Sequence, residues 1–145
     1  MINPCLVGRW YNELGSVMEI YNGSAGEGVI RGRYNSNVGD AKNWYTLRGT
    51  FDKDGLECSG TIGWAVTYNN ADNGNSFSTC TWSGQRQLVD NLPVISTTWL
   101  LTVDVTKTSG KWDTTYTNQD FFRRALPEDE KIRATLIARN FKEHV

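Results

Sequence analysis

The amino-acid sequence predicts an all-β protein, an eight-stranded antiparallel up-and-down (meander) barrel with a short C-terminal helical tail. Polar and apolar residues alternate in short runs. In the first run, Trp10 and Asn12 have the same parity, meaning that they face the same side of a strand, while Arg9 and Tyr11 face the other side. Turn residues separate these runs, and no helical pattern intervenes between them. A β-sandwich fits the same spacing, but a meander favours a barrel because closure removes exposed sheet edges.

Eight runs fit strands, and ordinary turn chemistry joins them. We predict strands over residues 5–12, 16–22, 28–36, 44–52, 60–69, 77–88, 95–105 and 111–119. The turns contain residues that tolerate tight or left-handed backbone, namely Leu14-Gly15, Asn22-Gly23, Asp40, Asp54-Gly55, Asn73-Gly74, Asn91 with Pro93, and Ser109-Gly110.

The 145-residue length fits one domain. We expect the barrel to occupy residues 5–124 and the tail to occupy 125–145. Pro127, followed by the acidic residues 128–130, is typical of a helix start, because negative charge is favourable at a helix N-terminus. The tail fits either a short capping helix or frayed end, or a segment that docks on a neighbouring subunit.

Composition excludes several function classes. Fifteen basic and sixteen acidic residues give a net charge of −1, without the basic excess of a nucleic-acid binder. No apolar run approaches the roughly 18 residues of a membrane span. The single histidine, His144, makes histidine–metal sites and Ser-His-Asp catalysis improbable. We therefore expect no metal, no cofactor, and no nucleic-acid or membrane partner.

Two features bear on the cellular compartment. Asn22-Gly23-Ser24 is an N-glycosylation sequon in a predicted turn, meaningful only for a eukaryotic secreted protein, and such triplets also arise by chance. Residues 1–4 lack the apolar core of a signal peptide, which fits a cytosolic protein or a mature secreted one.

Polar residues share the inward parity with aromatic residues along several predicted strands. The pairs are Asn12 with Trp10, Ser36 with Tyr34, Ser78 and Cys80 with Trp82, and Asp120 with Tyr116. A buried polar group without a partner costs roughly 1–3 kcal/mol. Either these groups pair with one another, or the interior receives a ligand with an apolar body and a few polar atoms.

Five segments in collinear order resemble the avidin and streptavidin family of biotin-binding proteins. They are residues 8–16 (GRWYNELGS), 32–36 (GRYNS), 81–85 (TWSGQ), 98–102 (TWLLT), and Lys111-Trp112 with Asp120. Each motif is weak by itself, but their shared order over residues 5 to 124 is a strong signal. The resemblance implies the barrel predicted above and high-affinity biotin binding without catalysis, with biotin as ligand rather than cofactor.

The resemblance also implies a role for each matching residue. Asn12, Ser16 and Tyr34 match the donors to the ureido oxygen of biotin, while Ser36 and Asp120 match the acceptors of its N–H groups. The apolar walls match Trp82, Trp99, Leu101 and, from another subunit, Trp112, and Ser78 matches a serine near the biotin carboxylate. A homo-oligomer, usually a tetramer, and a secreted, extracellular location are implied with them.

Three residues depart from the family pattern. Tyr68 replaces a usual tryptophan, and Cys80 replaces a threonine beside the biotin sulfur. Asp40 lies in the loop whose backbone meets the biotin carboxylate, where a second negative charge is unfavourable. We expect these changes to weaken the edges of the site and leave its ureido contacts intact.

The resemblance further suggests a disulfide. Vertebrate avidins tie the first strand to the sixth, but the matching sixth-strand position here is Arg86. We expect Arg86 to lie across from about Ser59, so that Cys58 approaches the same place and pairs with Cys5. Cys80 is then a free thiol in the site; the alternative is three free thiols.

Two other functions fit parts of the sequence. A lipocalin-like carrier of another small apolar ligand shares the fold, but does not need Asn12, Ser16, Tyr34 and Asp120 together. An enzyme using Asp120 as acid and Ser36 as nucleophile lacks a base to activate the serine. Biotin binding implies vitamin sequestration, in a defensive or antinutritional role.

Overall fold

The computed structural model describes residues 5–21, 25–36, 44–70, 74–107 and 114–125, and these residues form a closed eight-stranded barrel. Every strand pairs antiparallel with the next in sequence, and β8 pairs with β1. The strands are β1 (Gly8–Tyr11), β2 (Val17–Ile20), β3 (Val29–Asn35), β4 (Trp44–Phe51), β5 (Gly60–Asn70), β6 (Gly74–Val89), β7 (Leu92–Val103) and β8 (Thr115–Arg123). The predicted meander barrel is confirmed.

The hairpin of β6 and β7 is longer than predicted. Its turn contains only Asp90 and Asn91, which both have positive φ, 52° and 63°. Such two-residue turns match the twist of the flanking strands. Pro93 lies inside β7, opposite Leu88. In a two-residue hairpin the second pair from the turn is not hydrogen-bonded, so the missing N–H of proline is tolerated there.

Strand β8 continues beyond its predicted end at residue 119. Asn118, Asp120 and Phe122 alternate inward with 9%, 4% and 0% exposure, so one inward face extends to Arg123. The predicted strand stops one residue before Asp120, although Asp120 shares the inward parity of Tyr116, and the buried Phe122 continues the same alternation.

The start of β1 and the end of β8 are held together by side chains. Their backbone pairing is short, with Tyr11 opposite Arg123. The guanidinium of Arg124 lies 4.0 Å from the centre of the Trp10 ring and donates to the carbonyls of Arg9 (3.1 Å) and Cys5 (2.9 Å). The Trp10 indole donates to the Leu6 carbonyl at 2.9 Å. These contacts satisfy backbone groups where the barrel closes.

The predicted disulfide between Cys5 and Cys58 is present, with Cα atoms 5.2 Å apart, and Cys80 is free and buried. The expected register was wrong by one residue, because Arg86 lies opposite Gly60 rather than Ser59. Arg86 nevertheless donates to the Ser59 carbonyl at 2.7 Å. It therefore fixes the segment that carries Cys58.

Several sequence predictions lie outside the described residues. These are Asp40, Trp112, the sequon at Asn22 and the helical tail beyond residue 125. No described helix is long and apolar enough to span a membrane.

Candidate functional site

One end of the barrel collects the polar inward residues. In a meander, odd strands end where even strands begin, so Asn12 and Ser16 in the β1–β2 turn share this end with Ser36 after β3. The end of β5 and the start of β6 bring Tyr68 and Ser78 to the same end. The opposite end is filled by apolar core residues, including Ile20, Ile30, Phe51, Ile62, Ile95 and Phe122. We call the polar end the candidate site.

Asn12 is oriented by its own turn. Its Oδ1 accepts from the backbone N–H groups of Leu14 (3.0 Å) and Ser16 (2.9 Å). The amide Nδ2 is thereby directed inward, 3.5 Å from the Tyr34 hydroxyl. Ser16 and Tyr34 hydrogen-bond through their side chains, and all three residues are at most 3% exposed. The structure thus brings together Asn12, Ser16 and Tyr34: the turn orients Asn12 and Ser16, and the pairing of β2 with β3 places Tyr34 beside them.

Asp120 is the acceptor of the candidate site. It is 4% exposed, and its Oδ2 accepts from the indole Nε1 of Trp82 at 3.0 Å. Its Oδ1 is buried and accepts from no N–H or hydroxyl donor of the described residues. A buried carboxylate oxygen of this kind calls for a hydrogen-bond donor.

Aromatic rings line the interior beside these polar groups. The rings of Tyr34 and Trp82 lie 5.0 Å apart, and Trp64 stacks on Trp82 at 5.7 Å. Trp99 lies opposite Trp82 in the β6–β7 register. Tyr68, which packs on Tyr45 at 5.2 Å, is only partly buried. Of the sequence-predicted wall residues, Trp82 and Trp99 are thus adjacent, and Trp82 contacts Trp64, which was not predicted as part of the walls.

Burial keeps the hydroxyl and thiol groups of the site protonated. It raises the pKa of Tyr34, Tyr68 and Cys80 well above the ordinary values, and the charge of Asp120 contributes to all three shifts. That shared influence places the four residues in one electrostatic environment. The Cys80 thiol is a weak donor here and not a thiolate nucleophile.

The remaining predicted residues lie at the rim. Ser36 and Leu101 are half-buried, and Leu101 lies opposite Cys80. Ser78 is also half-buried, with its hydroxyl 3.0 Å from that of Ser76. The rim thus offers hydroxyl groups where the interior meets solvent.

Sequence reasoning missed two buried polar residues of the site, Glu13 and Asn118. Glu13 is 8% exposed, and its Oε2 accepts from the backbone N–H of Phe121 at 3.0 Å. The carboxyl of Glu13 also hydrogen-bonds the carboxyl of Asp120. The pKa of Glu13 is raised to about 8, mainly by burial and secondly by the charge of Asp120. Asn118 shares the inward face of Asp120. Glu13 could have been identified because it is an acidic residue within the turn of residues 12–16. Asn118 could have been identified because it lies two positions before Asp120 and so faces the same side of the strand.

Among the described residues, one group has the geometry of metal ligands, formed by Cys5, Glu57 and Cys58. Both cysteines belong to the disulfide, so neither offers a thiolate. The group lies away from the candidate site and gives no reason to place a metal there.

Comparison with known proteins gives one match to a family model. The model of the Avidin family matches residues 2–125, a range that includes all eight strands and every described residue of the candidate site.

Proposed function

Because this chain belongs to the Avidin family, we propose that it binds biotin with high affinity and without transforming it. One observation carries the proposal most directly. Three buried donors, Asn12, Ser16 and Tyr34, share one polar cluster, and the interior also holds the unsatisfied carboxylate oxygen of Asp120. A cyclic urea is a ligand with one strong acceptor and two N–H donors, which complements such a set.

The donor cluster is assigned to the ureido oxygen. The Nδ2 of Asn12 and the hydroxyls of Ser16 and Tyr34 each offer a hydrogen to an oxygen placed between them. Donors fixed before binding stabilise negative charge on that oxygen, because no reorganisation is needed when the ligand arrives. Asp120 and Ser36 are assigned to the two N–H groups, and the Asp120 charge strengthens the polarisation.

The walls are assigned to the apolar parts of biotin. Trp82 and Trp99 provide most of the aromatic surface, and Leu101 and Tyr68 complete it on the described side. Cys80 faces the thioether, with which its soft sulfur is compatible. Ser78 and the backbone at Asp40 are assigned to the valerate carboxylate.

A binding role without catalysis agrees with the state of the candidate nucleophiles. Burial keeps Cys80 protonated, and the described residues around Ser16 and Ser36 include no histidine that could act as a base. The Oδ2 of Asp120 accepts from the Trp82 indole, and its Oδ1 is the oxygen assigned to the ligand N–H rather than to a catalytic step.

We further infer that the working form is a homo-oligomer, most simply a tetramer, in which Trp112 closes the site of a partner subunit. A large apolar side chain beside the Ser109-Gly110 turn is unfavourable in water, which favours burial in an interface. The disulfide between Cys5 and Cys58 supports an extracellular location, where vitamin sequestration is the expected role. Glycosylation of Asn22 belongs to the same proposal.

Retention on biotin-agarose tests the proposal against a lipocalin-like carrier of another apolar ligand. As a control we use Glu27→Gln, which changes an exposed glutamate outside the candidate site. We expect the wild-type protein and this control to be retained on the resin and to be eluted by free biotin. Asp120→Ala is expected to pass through or to elute far earlier. Passage of the folded wild-type protein, or displacement by a fatty acid as readily as by biotin, would contradict biotin binding and favour the carrier.

A further inference from the structure

Two buried carboxyl groups, those of Glu13 and Asp120, meet beside the candidate site. Their side chains are hydrogen-bonded to each other, and they are 8% and 4% exposed. The Oε2 of Glu13 also accepts from the N–H of Phe121, the residue directly after Asp120. Glu13 is therefore hydrogen-bonded both to the carboxyl of Asp120 and to the backbone N–H of the following residue, Phe121.

The surroundings allow one negative charge on this pair and not two. The other titratable groups that act on the pair are Tyr34 on β3, Tyr68 on β5 and Cys80 on β6, all of them neutral at pH 7. The charge that raises the pKa of Glu13 is that of Asp120. Two adjacent buried carboxylates without a cation repel strongly, so the pair retains one proton.

The contacts decide which carboxyl holds the proton. Trp82 donates to Asp120 at 3.0 Å, and this N–H stabilises the charged form of Asp120. The environment of Glu13 raises its pKa to about 8. At pH 7 the carboxyl of Glu13 is thus mainly protonated and can donate to the carboxyl of Asp120.

We propose that Glu13 is a positioning residue of the ligand site, whose carboxyl proton bonds the Asp120 carboxylate and holds it in place for the ligand N–H. This inference rests on the proposed biotin-binding function. Glu13 does not touch the ligand itself; it acts through Asp120. Its neutral form lets a single negative charge face the ureido group.

Proton linkage follows from the same arrangement. A bound ligand excludes water from the site, which makes a second charge beside Asp120 less favourable than in the free protein. Binding above pH 8 is therefore expected to take up a proton. Between the pKa of Glu13 in the free protein and its higher value in the complex, biotin affinity falls by as much as tenfold per pH unit.

The binding experiment compares wild-type protein, Glu13→Gln and the exposed control Glu27→Gln. Glutamine keeps the shape of Glu13 and its donor but cannot ionise. Calorimetric titration with biotin at pH 8.5, in two buffers of different ionisation enthalpy, gives the number of protons taken up on binding. Dissociation rates from pH 6 to 10 are measured by chasing bound labelled biotin with unlabelled biotin.

We expect proton uptake and faster dissociation above pH 8 in wild-type protein and in Glu27→Gln, but neither in Glu13→Gln. Wild-type binding without proton uptake, or the same pH profile in Glu13→Gln, would overturn the positioning role. The wild-type measurement decides this even where Glu13→Gln does not fold.

Unfolding of the ligand-free proteins gives a readout that does not depend on biotin. Because the pKa of Glu13 is raised in the folded state, its contribution to wild-type stability declines from about pH 4.5 to about pH 8 and is constant above. Glu13→Gln is expected to gain in melting temperature relative to wild type over this window. A constant difference would contradict the shared proton. Failure of the wild-type protein to bind biotin at every pH would defeat the proposed function, and with it the positioning role, while this profile still decides where the proton lies.

Discussion

The indole of Trp82 donates to Asp120 at 3.0 Å, so the aromatic wall and the charged acceptor of the candidate site hold each other in place. Trp82 also contacts Tyr34 at 5.0 Å and stacks on Trp64 at 5.7 Å. One side chain therefore connects the donor cluster, the acceptor and the apolar core. A substitution at Asp120 should therefore affect the donor cluster and the apolar core as well as the acceptor itself.

Asp120→Ala is expected to weaken biotin binding by about 3–6 kcal/mol, which is roughly 100- to 20,000-fold in Kd. The substitution removes an acceptor of the ligand and leaves the Trp82 indole without its partner. Competition against labelled biotin measures the loss, with circular dichroism as a control for folding. A loss below about 1 kcal/mol in folded protein would contradict the assigned role.

The strand order could be predicted from the sequence because it depends on local alternation and turns. Asn12 and Ser16 were assigned as ligand donors by resemblance to the avidin family; the structure places both in one turn, where Asn12 accepts from the N–H of Ser16. Glu13 could not be assigned in the same way, since its partners Asp120 and Phe121 lie more than 100 residues away and meet it only when β8 closes on β1. The predicted end of β8 at residue 119 was wrong, because Asp120 and Phe122 continue its inward alternation.

Cys58→Ser is expected to lower the free energy of unfolding by about 4 kcal/mol, because the disulfide closes a loop with a sequence separation of 53. Chemical denaturation with and without reductant measures the effect. Reductant should destabilise the wild-type protein and leave Cys58→Ser nearly unchanged. Equal sensitivity of the two proteins would contradict the assigned bridge.

Cys80 is expected to resist thiol reagents in the folded protein at pH 8, because burial raises its pKa and keeps it protonated. Unfolding without reductant should release one reactive thiol per chain, counted with a chromogenic disulfide reagent. Cys80→Ser is the control and should release none. Fast labelling of native protein would show that the thiol is accessible.

Glu19 is expected to contribute to stability above about pH 4.5 and to lose that contribution as pH falls. The pKa of Glu19 is lowered below its ordinary value, chiefly by the hydrogen bond from Arg9 and also by Arg33. The Nε atoms of Arg9 and Arg33 lie 2.8 and 3.1 Å from the carboxylate oxygens of Glu19. Because the pair is near the surface, the effect is small and decreases with salt. Melting temperatures of Glu19→Gln and wild type should differ at pH 7 and converge near pH 3; a difference that grows toward pH 3 would contradict this sign.

Trp112→Lys is expected both to weaken biotin binding and to loosen the oligomer, because a lysine would meet the apolar site of a partner subunit and lose its hydration. Light scattering gives the mass and a biotin titration gives the affinity of the same sample. Wild-type mass together with wild-type affinity would show that Trp112 serves its own chain.

Calorimetric titration of the wild-type protein with biotin at pH 7 tests the central claim most directly. We expect one biotin bound per chain with high affinity, quenching or shifting of tryptophan fluorescence in the same titration, and loss of most of the affinity in Asp120→Ala. At a biotin concentration of about 1 mM, even a ligand with a binding free energy of only about −4 kcal/mol binds to a substantial extent. The claim would be contradicted if folded wild-type protein gave neither binding heat nor a fluorescence change at that concentration.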